Sequence, residues 1–543
     1  MDVDKMQTKL ATWAQDPSFR FDDIYNLVYD EDWLYRAYGS VKSNSGSRTA
    51  GIDGQVMEDF TEDLEENMKD LMQGLKSQSF DPRPVRRTYI PKGDGRERPL
   101  GIPTIKDRIV QEALRMVLEP IYETDFSQYS FGFRPGRSTH DAICYLSQRM
   151  VPDMNSYMPW IIDADVKGFF DNVDHQVLEQ TIQDRITDQK LRDLIWDFLK
   201  AGVMEDGSFR HSTLGTPQGG IVSPVLANIY LNELDQWAEK WTDLPVSEKN
   251  RRYRKGKGNW AYLRYADDFL FLTNGNRENA EEMKERVGSF VSEELNLTLS
   301  EEKTQLVHAE DGINFLGYDL ESSDRPDGGV DRSVPKEAKQ DIRAKIRAAT
   351  NRSTDVSART KIKALNTVLR GWAQYYKYAN DSARVFGEIE HVRWKELTGW
   401  LARKYSRSRS RLFAEKLDGK NPISINGVEV VVIRRISDTH DSPLKDEHPY
   451  LEGSRERQTI PDDDPWLAVT EDRPGWKDAR RKALERDDWN CQECGRELEA
   501  ENAEVHHLKP YTEYDNPKEA NRLENLNSLC KECHQKVESE DLR

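Results

Sequence analysis

Apolar runs that end in acidic residues are the most informative pattern along this chain. Residues 263–272 read Leu-Arg-Tyr-Ala-Asp-Asp-Phe-Leu-Phe-Leu, so two adjacent carboxylates, Asp267 and Asp268, lie between two short apolar runs. Runs of this length that are rich in Phe, Leu and Tyr predict buried strands, here a hairpin with both acids at its bend. A lone Asp-Asp pair is more often a solvated turn, so this stretch by itself predicts a hairpin and no chemistry.

A second apolar run, residues 161–165, also ends in an acid, Asp165. Adjacent like charges raise each other's pKa unless a cation lies between them, so acids from two strands favour a metal. Transfer of a nucleotide uses two divalent ions about 4 Å apart. We therefore expect Asp165 and Asp267, with Asp268 beside them, to hold two Mg²⁺ ions.

Other segments have helical or turn patterns. Residues 106–115 have helical spacing, and the Gly-rich turn at 215–220 opens an amphipathic helix. Residues 86–103 are two extended runs joined by Gly-Asp-Gly, which predicts a basic hairpin carrying Lys92 and Arg98. A solvated hairpin with scattered cations is the alternative for this last segment.

Length and composition limit the class of protein. A chain of 543 residues is long enough for three or four domains, and we find no run of about 18 apolar residues. Its first residues lack the basic and apolar regions of a signal peptide, so we expect a cytoplasmic protein with no membrane partner.

The charge is unevenly distributed. A net charge of −18 argues against a nucleic-acid enzyme, but residues 332–420 carry 22 Lys or Arg against 9 Asp or Glu. That segment is the predicted polyanion-binding face. The acidic excess elsewhere is compatible with a salt-loving host or with ordinary variation in surface charge.

Four of the five cysteines form two Cys-x-x-Cys pairs near the end of the chain. The spacing of Cys491, Cys494, Cys530 and Cys533 predicts a structural Zn²⁺ site rather than disulfides. Cys144, the fifth, is expected to be a small core residue.

The sequences of the two acidic strands resemble those of a known enzyme family. Tyr-Ala-Asp-Asp, preceded by Asp-Val-Lys-Gly-Phe-Phe-Asp-Asn-Val-Asp-His at 165–175, resembles the palm of a group II intron reverse transcriptase. Further blocks of that family follow in order over residues 50–320, including Pro-Gln-Gly at 217–219 and Phe-Leu-Gly-Tyr at 315–318, the primer-grip region. The resemblance implies RNA-directed DNA synthesis from deoxynucleoside triphosphates.

The same resemblance implies roles for residues around the palm. Lys92 and Arg98 would reach the incoming triphosphate, and the Gln218 amide would hydrogen-bond the nucleotide. Phe170, five residues beyond Asp165, would lie under the sugar and exclude a 2′-hydroxyl; otherwise it is a core residue.

Residues 370–376, Arg-Gly-Trp-Ala-Gln-Tyr-Tyr, resemble the maturase segment that forms the thumb of this family. Cations among aromatics suit RNA, although the aromatics are also typical of a helical core. We expect Trp372 and one Tyr to be core. The cations predicted to contact RNA are Lys361, Lys363, Arg370 and Lys377, together with Arg403 and Lys404.

The C-terminal segment resembles an HNH endonuclease, a ββα-metal fold. Its His506-His507 pair lies between the cysteine pairs, and His534 follows the last one. The resemblance makes His507 the general base, His506 and His534 ligands of one divalent ion, and Asn525 the residue that orients the loop, with Asn521 a less favoured substitute. A zinc-knuckle binding module without nuclease activity is the alternative.

The expected fold class is thus a multidomain α/β protein with right-hand reverse transcriptase fingers and palm, an α-helical thumb and a C-terminal HNH domain. The predicted domains are an N-terminal extension (1–80), fingers and palm (81–330), maturase or thumb (331–420), a linker or small DNA-binding region (421–475), and the HNH domain (476–543).

The resemblance implies three linked activities: intron splicing assistance, nicking of target DNA, and reverse transcription primed at the nick. Intron RNA and target DNA are the expected partners, and a homodimer is left open. The other hypotheses are a splicing cofactor with a decayed polymerase, a reverse transcriptase recruited to defence, and a plain HNH endonuclease. The intact Asp165, Asp267 and Asp268 speak against decay, and the palm blocks against a plain endonuclease.

Overall fold

The computed structural model divides the chain into two compact units, Met1–Arg455 and Glu456–Arg543. It describes residues 1–91, 97–152, 157–205, 208–210, 214–215, 219–323, 329–350, 354, 356–408, 424–425, 428–436, 448–451, 482–484, 486–487, 489–496, 498, 503–508, 522–530 and 533. No helix among these residues is long and apolar enough to cross a membrane.

The first unit begins with helices that pack on one long helix. Asp2, Asp30 and Thr104 each cap the start of a helix with a side-chain oxygen, as the N-cap preference predicts. The apolar faces of these helices meet in one core that includes Trp33 and Phe60. The helices are α1 (Val3–Ala14), α2 (Tyr25–Val28), α3 (Glu31–Ser43), α4 (Met57–Glu62), α5 (Leu64–Lys76) and α6 (Ile105–Tyr122).

The predicted basic hairpin is present. Strands β1 (Val85–Pro91) and β2 (Glu97–Ile102) pair antiparallel, and Ile90 faces Arg98. With β4 (Val203–Glu205) and β5 (Ser208–Arg210) they form a sheet in the order β2-β1-β4-β5.

The central sheet contains both acidic strands, in the order β6-β7-β3-β8. Its strands are β3 (Trp160–Asp165), β6 (Trp260–Tyr265), β7 (Asp268–Thr273) and β8 (Gln305–His308). Phe269 and Phe271 of β7 enter one hydrophobic core, whereas Leu270 and Leu272 enter another. Cores on both faces explain why the run is apolar throughout rather than alternating.

Helices surround this sheet within the first unit. One of them, α11 (Ser223–Thr242), follows the Gly-rich turn at 215–220 and is the amphipathic helix predicted there. The helices are α7 (Thr139–Arg149), α8 (Phe169–Asn172), α9 (His175–Gln183), α10 (Gln189–Lys200), α11 (Ser223–Thr242), α12 (Val246–Arg254) and α13 (Arg277–Glu293).

A small sheet leads into the predicted thumb. Its antiparallel strands are β9 (Ile313–Phe315), β10 (Tyr318–Ser323) and β11 (Gly329–Ser333). Three helices follow and share a core with this sheet: α14 (Lys336–Ala349), α15 (Ala358–Tyr376) and α16 (Ser382–Lys404).

Part of the predicted linker packs on the thumb. Its described residues include β12 (Ser424–Ile425) and β13 (Val428–Glu429), followed by a 3-10 turn at Ile433–Arg435. Ile433 is fully buried, and the Arg434 guanidinium lies 2.7 Å from the Glu390 carboxylate of α16. This stretch is therefore an extension of the thumb core.

In the second unit, β14 (Ala503–His507) and β15 (Leu526–Cys530) form an antiparallel hairpin. Val505, Leu526 and Leu529 contribute to a small core with Cys491 and Cys530. The ββ part of the predicted ββα fold is thus present among the described residues.

Candidate active site

The two acids at 267 and 268 lie where the sequence predicts, at the bend of a hairpin. Strand β6 ends at Tyr265 and β7 begins at Asp268, which leaves Ala266 and Asp267 as a two-residue turn. Ala266 has φ 55°, the positive value that tight hairpin turns require to match strand twist. The turn thus presents Asp267 at the tip of the hairpin.

Strand β3 brings the third carboxylate to the same place. In the antiparallel register of β3 with β7, Asp165 is directly opposite Asp268. Burial, and then the neighbouring Asp267 and Asp165 charges, raise the pKa of Asp268 to about 7. Burial likewise raises the pKa of Asp267. A half-buried carboxylate cluster of this kind favours a cation.

The chemistry of these residues fits a divalent cation. Carboxylate oxygens are the protein ligands that Mg²⁺ prefers, and Asp165, Asp267 and Asp268 offer six of them from two adjacent strands. One cation is supplied by the protein itself, because the Lys303 ammonium lies 2.8 Å from the Asp165 carboxylate. That hydrogen bond raises the pKa of Lys303.

A fully buried ion pair supports the hairpin from behind. Arg264 and Asp235 are both 0% exposed, and their side chains form two hydrogen bonds, of 2.8 and 2.6 Å. Burial alone would lower the pKa of Arg264, but the Asp235 carboxylate outweighs it and raises that pKa. Arg264 Nη1 also donates to the Ala266 carbonyl at 2.9 Å, so the ion pair holds the turn that carries Asp267.

A neighbouring segment packs tightly against the same turn. Asn228 accepts a hydrogen bond from Arg264 and donates one to the Gly132 carbonyl, both at 2.9 Å. A Cβ on Gly132 would lie 2.3 Å from the Ala266 nitrogen, so a glycine is required there.

Residues predicted to bind the nucleotide are only partly described. Arg98 is exposed on β2 and its charge acts to lower the pKa of Asp267, which places it within electrostatic reach of the carboxylates. Phe170 is only 6% exposed and packs edge-on against Phe169. Lys92 and Gln218 lie outside the described residues.

Among the predicted RNA contacts, two share one exposed face of α15. Lys363 and Arg370 are both exposed and are seven residues apart, so they lie on the same side of the helix. Lys377 is half-buried over the Tyr378 ring. Lys361 is 8% exposed, with its ammonium 5.5 Å from the centre of the Trp400 ring, and this burial argues against a phosphate contact.

The aromatics of α15 have structural roles. Tyr376 is buried, and Trp372 packs on it with ring centres 5.0 Å apart. Tyr375 donates a hydrogen bond of 2.5 Å to the Leu316 carbonyl, in the predicted primer-grip turn. Its own carbonyl lies 2.7 Å from His140 Nε2 of α7, so one residue connects the thumb, the primer grip and the palm.

In the second unit the four cysteines converge. The Sγ atoms of Cys491, Cys494, Cys530 and Cys533 all lie within 4.8 Å of one another. Burial would raise the pKa of Cys491, but backbone N–H groups of Cys530, Cys494 and Glu493 lower it to about 6. Four convergent sulfurs, one of them readily deprotonated, fit a tetrahedral Zn²⁺.

The hairpin of this unit separates the cysteines from the histidines. Ala503 faces Cys530 at one end, whereas His507 faces Leu526 at the other. Asn525 is buried beside that second end, and its carbonyl accepts from Leu508 at 2.8 Å. Two of the predicted nuclease positions, His507 and Asn525, are thereby adjacent along the backbone ladder. The His507 side chain, Asn521 and His534 lie outside the described set.

Comparison with known proteins gives family matches in three segments of the chain. Residues 90–320 match the reverse transcriptase (RNA-dependent DNA polymerase) family, residues 339–417 the maturase-specific domain of group II introns, and residues 491–540 the HNH endonucleases. Protein YkfC of Escherichia coli is 36% identical over 367 residues, which cover 64% of this chain and 96% of YkfC. The chain belongs to the group II intron-encoded reverse transcriptases.

Two further relatives are intron proteins. The group II intron-encoded protein LtrA of Lactococcus lactis is 35% identical over 360 residues, 58% of each chain. Nuclear intron maturase 1 of Arabidopsis thaliana mitochondria is 26% identical over 295 residues, 40% of each chain. The matches confirm the predicted family, the fold class and the two enzyme classes, reverse transcriptase and HNH endonuclease. They also imply intron RNA as a partner.

The sequence did not reveal the support behind this reverse transcriptase hairpin. Asp235 and Asn228 lie on α11, and their pairing with Arg264 becomes visible only once α11 packs on β6. The available signal was an Arg inside an otherwise apolar strand, since a buried charge calls for a partner.

Proposed function

We propose that this protein mobilises a group II intron by nicking target DNA and copying intron RNA from the nick. The observation that carries the proposal is the register of β3 with β7, which aligns Asp165 with Asp268 beside the half-buried turn residue Asp267. Those three carboxylates would hold two Mg²⁺ ions, which supply activation of the primer hydroxyl and charge neutralisation on the triphosphate.

Residues of the chain itself have separate tasks in this reaction. Arg98 attracts the triphosphate toward the carboxylates, as would Lys92. Phe170 excludes the 2′-hydroxyl, so deoxynucleotides are preferred, and Gln218 orients the nucleotide. The Arg264–Asp235 pair keeps the hairpin rigid, and rigid placement is what favours in-line transfer.

In the second unit the four cysteines would hold Zn²⁺ as a structural ion. His507 would accept the proton of the attacking water, and His506 and His534 would bind the divalent ion of the nuclease site. The hairpin register, which places the His pair beside Asn525 and away from Cys530, supports this division of roles.

Intron RNA is bound chiefly by the thumb. The exposed cations Lys363 and Arg370 on α15 support that role, because arrays of Lys and Arg bind phosphates through counterion release. Splicing assistance follows if this surface also stabilises the folded intron.

The test is a coupled reaction on DNA. The protein is assembled with RNA transcribed from the sequence flanking its coding region and mixed with labelled DNA spanning the insertion site. The wild type should give a nick and an extended product. Asp267→Asn should give the nick alone, and His507→Ala neither product. Extension without a nick in the labelled DNA would contradict nick priming.

A further inference from the structure

Phe133 has an unusual conformation for its residue type. Its backbone has φ 59°, and its side chain is 49% exposed, whereas Phe131 two residues earlier is buried. A bulky residue in the left-handed region costs about 1–2 kcal/mol relative to ordinary backbone, and Gly or Asn is usual there. Neither burial nor backbone preference accounts for a Phe at this position, so the exposed ring calls for another reason.

The chain is held firmly on both sides of Phe133. Before it, the Gly132 carbonyl accepts from Asn228, and Gly132 presses against the Ala266 backbone. After it, Arg134 is 6% exposed and pairs with the Glu123 carboxylate at 2.7 Å. These two anchors keep Phe133 in its strained conformation.

Its position relative to the carboxylates follows from the sheet. Ser130 forms an isolated parallel β-bridge with Arg264 of β6, and the Phe131 N–H donates a hydrogen bond of 2.9 Å to the Arg264 carbonyl. This segment therefore runs beside β6, on the edge of the sheet away from β3, and reaches the Asp-Asp turn at Gly132.

That edge lies on the thumb side of the palm. Phe131 belongs to the core shared by Tyr318 of β10 and Leu369 of α15, whereas Phe170 belongs to the other core. Phe133 thus lies next to the catalytic turn but on the side opposite the predicted sugar site of the incoming nucleotide. A primer end held between the carboxylates and the thumb would pass on this side of the turn.

We propose that the Phe133 ring packs against the sugar and base face of the primer strand next to its 3′ end. The inference rests on the proposed polymerase function and names a residue that holds the primer. Contact of an aromatic ring with a nucleic-acid base contributes about 1–3 kcal/mol by alanine substitution, or roughly 5- to 150-fold in affinity. An exposed, rigidly held ring loses little conformational entropy on such contact.

The test compares Phe133→Gly with Gln78→Gly. Gln78 is also exposed with a positive φ of 55°, and it lies in the loop after α5, so glycine relieves the same strain there without removing a ring. Both variants should melt at or above the wild-type temperature. Only Phe133→Gly should bind an RNA template with an annealed DNA primer at least about fivefold more weakly.

Two further measurements keep the result decisive. Phe133→Tyr should restore primed-template affinity, and the KM for deoxynucleotides should not change in Phe133→Gly. Unchanged primed-template affinity in a folded Phe133→Gly would overturn the inference. Equal weakening for unprimed RNA would overturn it too, since the contact would then be to the template. If the wild type itself extends no primer, the proposed function fails rather than this contact.

Discussion

Replacing Arg264 by methionine should loosen the hairpin that carries Asp267 and Asp268 by an amount that the structure allows us to work out. The substitution leaves the Asp235 carboxylate, which is 0% exposed, buried without its counter-charge. Breaking a buried ion pair by removing one partner costs about 3–5 kcal/mol. The Ala266 carbonyl also loses its 2.9 Å hydrogen bond, so the loss falls on the turn itself.

Hydrogen–deuterium exchange of β6 and β7 amides measures this loss where it occurs. A decrease of about 3–5 kcal/mol in opening free energy corresponds to exchange roughly 150- to 5,000-fold faster. The double variant Arg264→Met with Asp235→Asn is the control, because it removes the unpaired buried charge while the amide oxygen can still accept the 2.7 Å hydrogen bond from the Tyr262 hydroxyl. It should recover most of the protection but not the polymerase activity, since the Ala266 carbonyl still lacks its donor. Exchange within about fivefold of wild type in Arg264→Met would refute the reasoning.

Three further predictions concern other parts of the molecule. Cys530→Ser should release one equivalent of Zn²⁺ and unfold the C-terminal unit, whereas the control Cys144→Ser, at a buried cysteine outside the cluster, should leave the zinc content unchanged. A metal-release assay measures both variants, and equal zinc content in the two would contradict the prediction. Phe170→Val should increase ribonucleotide incorporation in single-turnover extension, and the buried neighbour Phe169→Leu should not, so equal sugar selection in both would remove Phe170 from that role. Burial, and then the Arg134 charge, lower the pKa of His448 to about 4, so the neutral imidazole is favoured in the fold and its stability contribution is lost as pH falls from about 6.5 toward 4. The free energy of unfolding measured in urea should therefore fall between pH 7 and pH 5 by about 1 kcal/mol more in the wild type than in His448→Gln, a figure reduced to allow for the partial exposure of His448. An identical pH dependence in the two proteins would contradict the lowered pKa of His448.

The positions of the three carboxylates were predictable because local pattern determines them. Apolar runs define β3, β6 and β7; Asp165 ends β3, Asp268 begins β7, and Asp267 lies in the turn before it, so all three acids lie at strand ends. The same logic located the cysteine cluster from its spacing alone.

What the sequence did not predict depends on packing between distant segments. Lys361 was expected at the RNA surface, but its position on α15 places its ammonium over Trp400 of the next helix. The 3-10 turn at Ile433–Arg435 has no periodicity to reveal that it completes the thumb core. Likewise, the left-handed conformation of Phe133 follows from anchors at Asn228 and Glu123, which are remote in sequence. Such contacts follow from the tertiary fold and leave no local pattern.

Primer extension on an RNA template with Mg²⁺ tests the central claim most directly. The comparison is between the wild type, Asp267→Asn and the matched control Asp163→Asn. Asp163 is an acid on the same face of β3 as Asp165, but its carboxylate accepts a hydrogen bond from Gln305 at 3.1 Å, which an asparagine oxygen can also accept. We expect template-dependent DNA synthesis by the wild type and Asp163→Asn, and none by Asp267→Asn. Synthesis by Asp267→Asn at the wild-type rate, or no synthesis by a folded, RNA-binding wild type, would contradict the account.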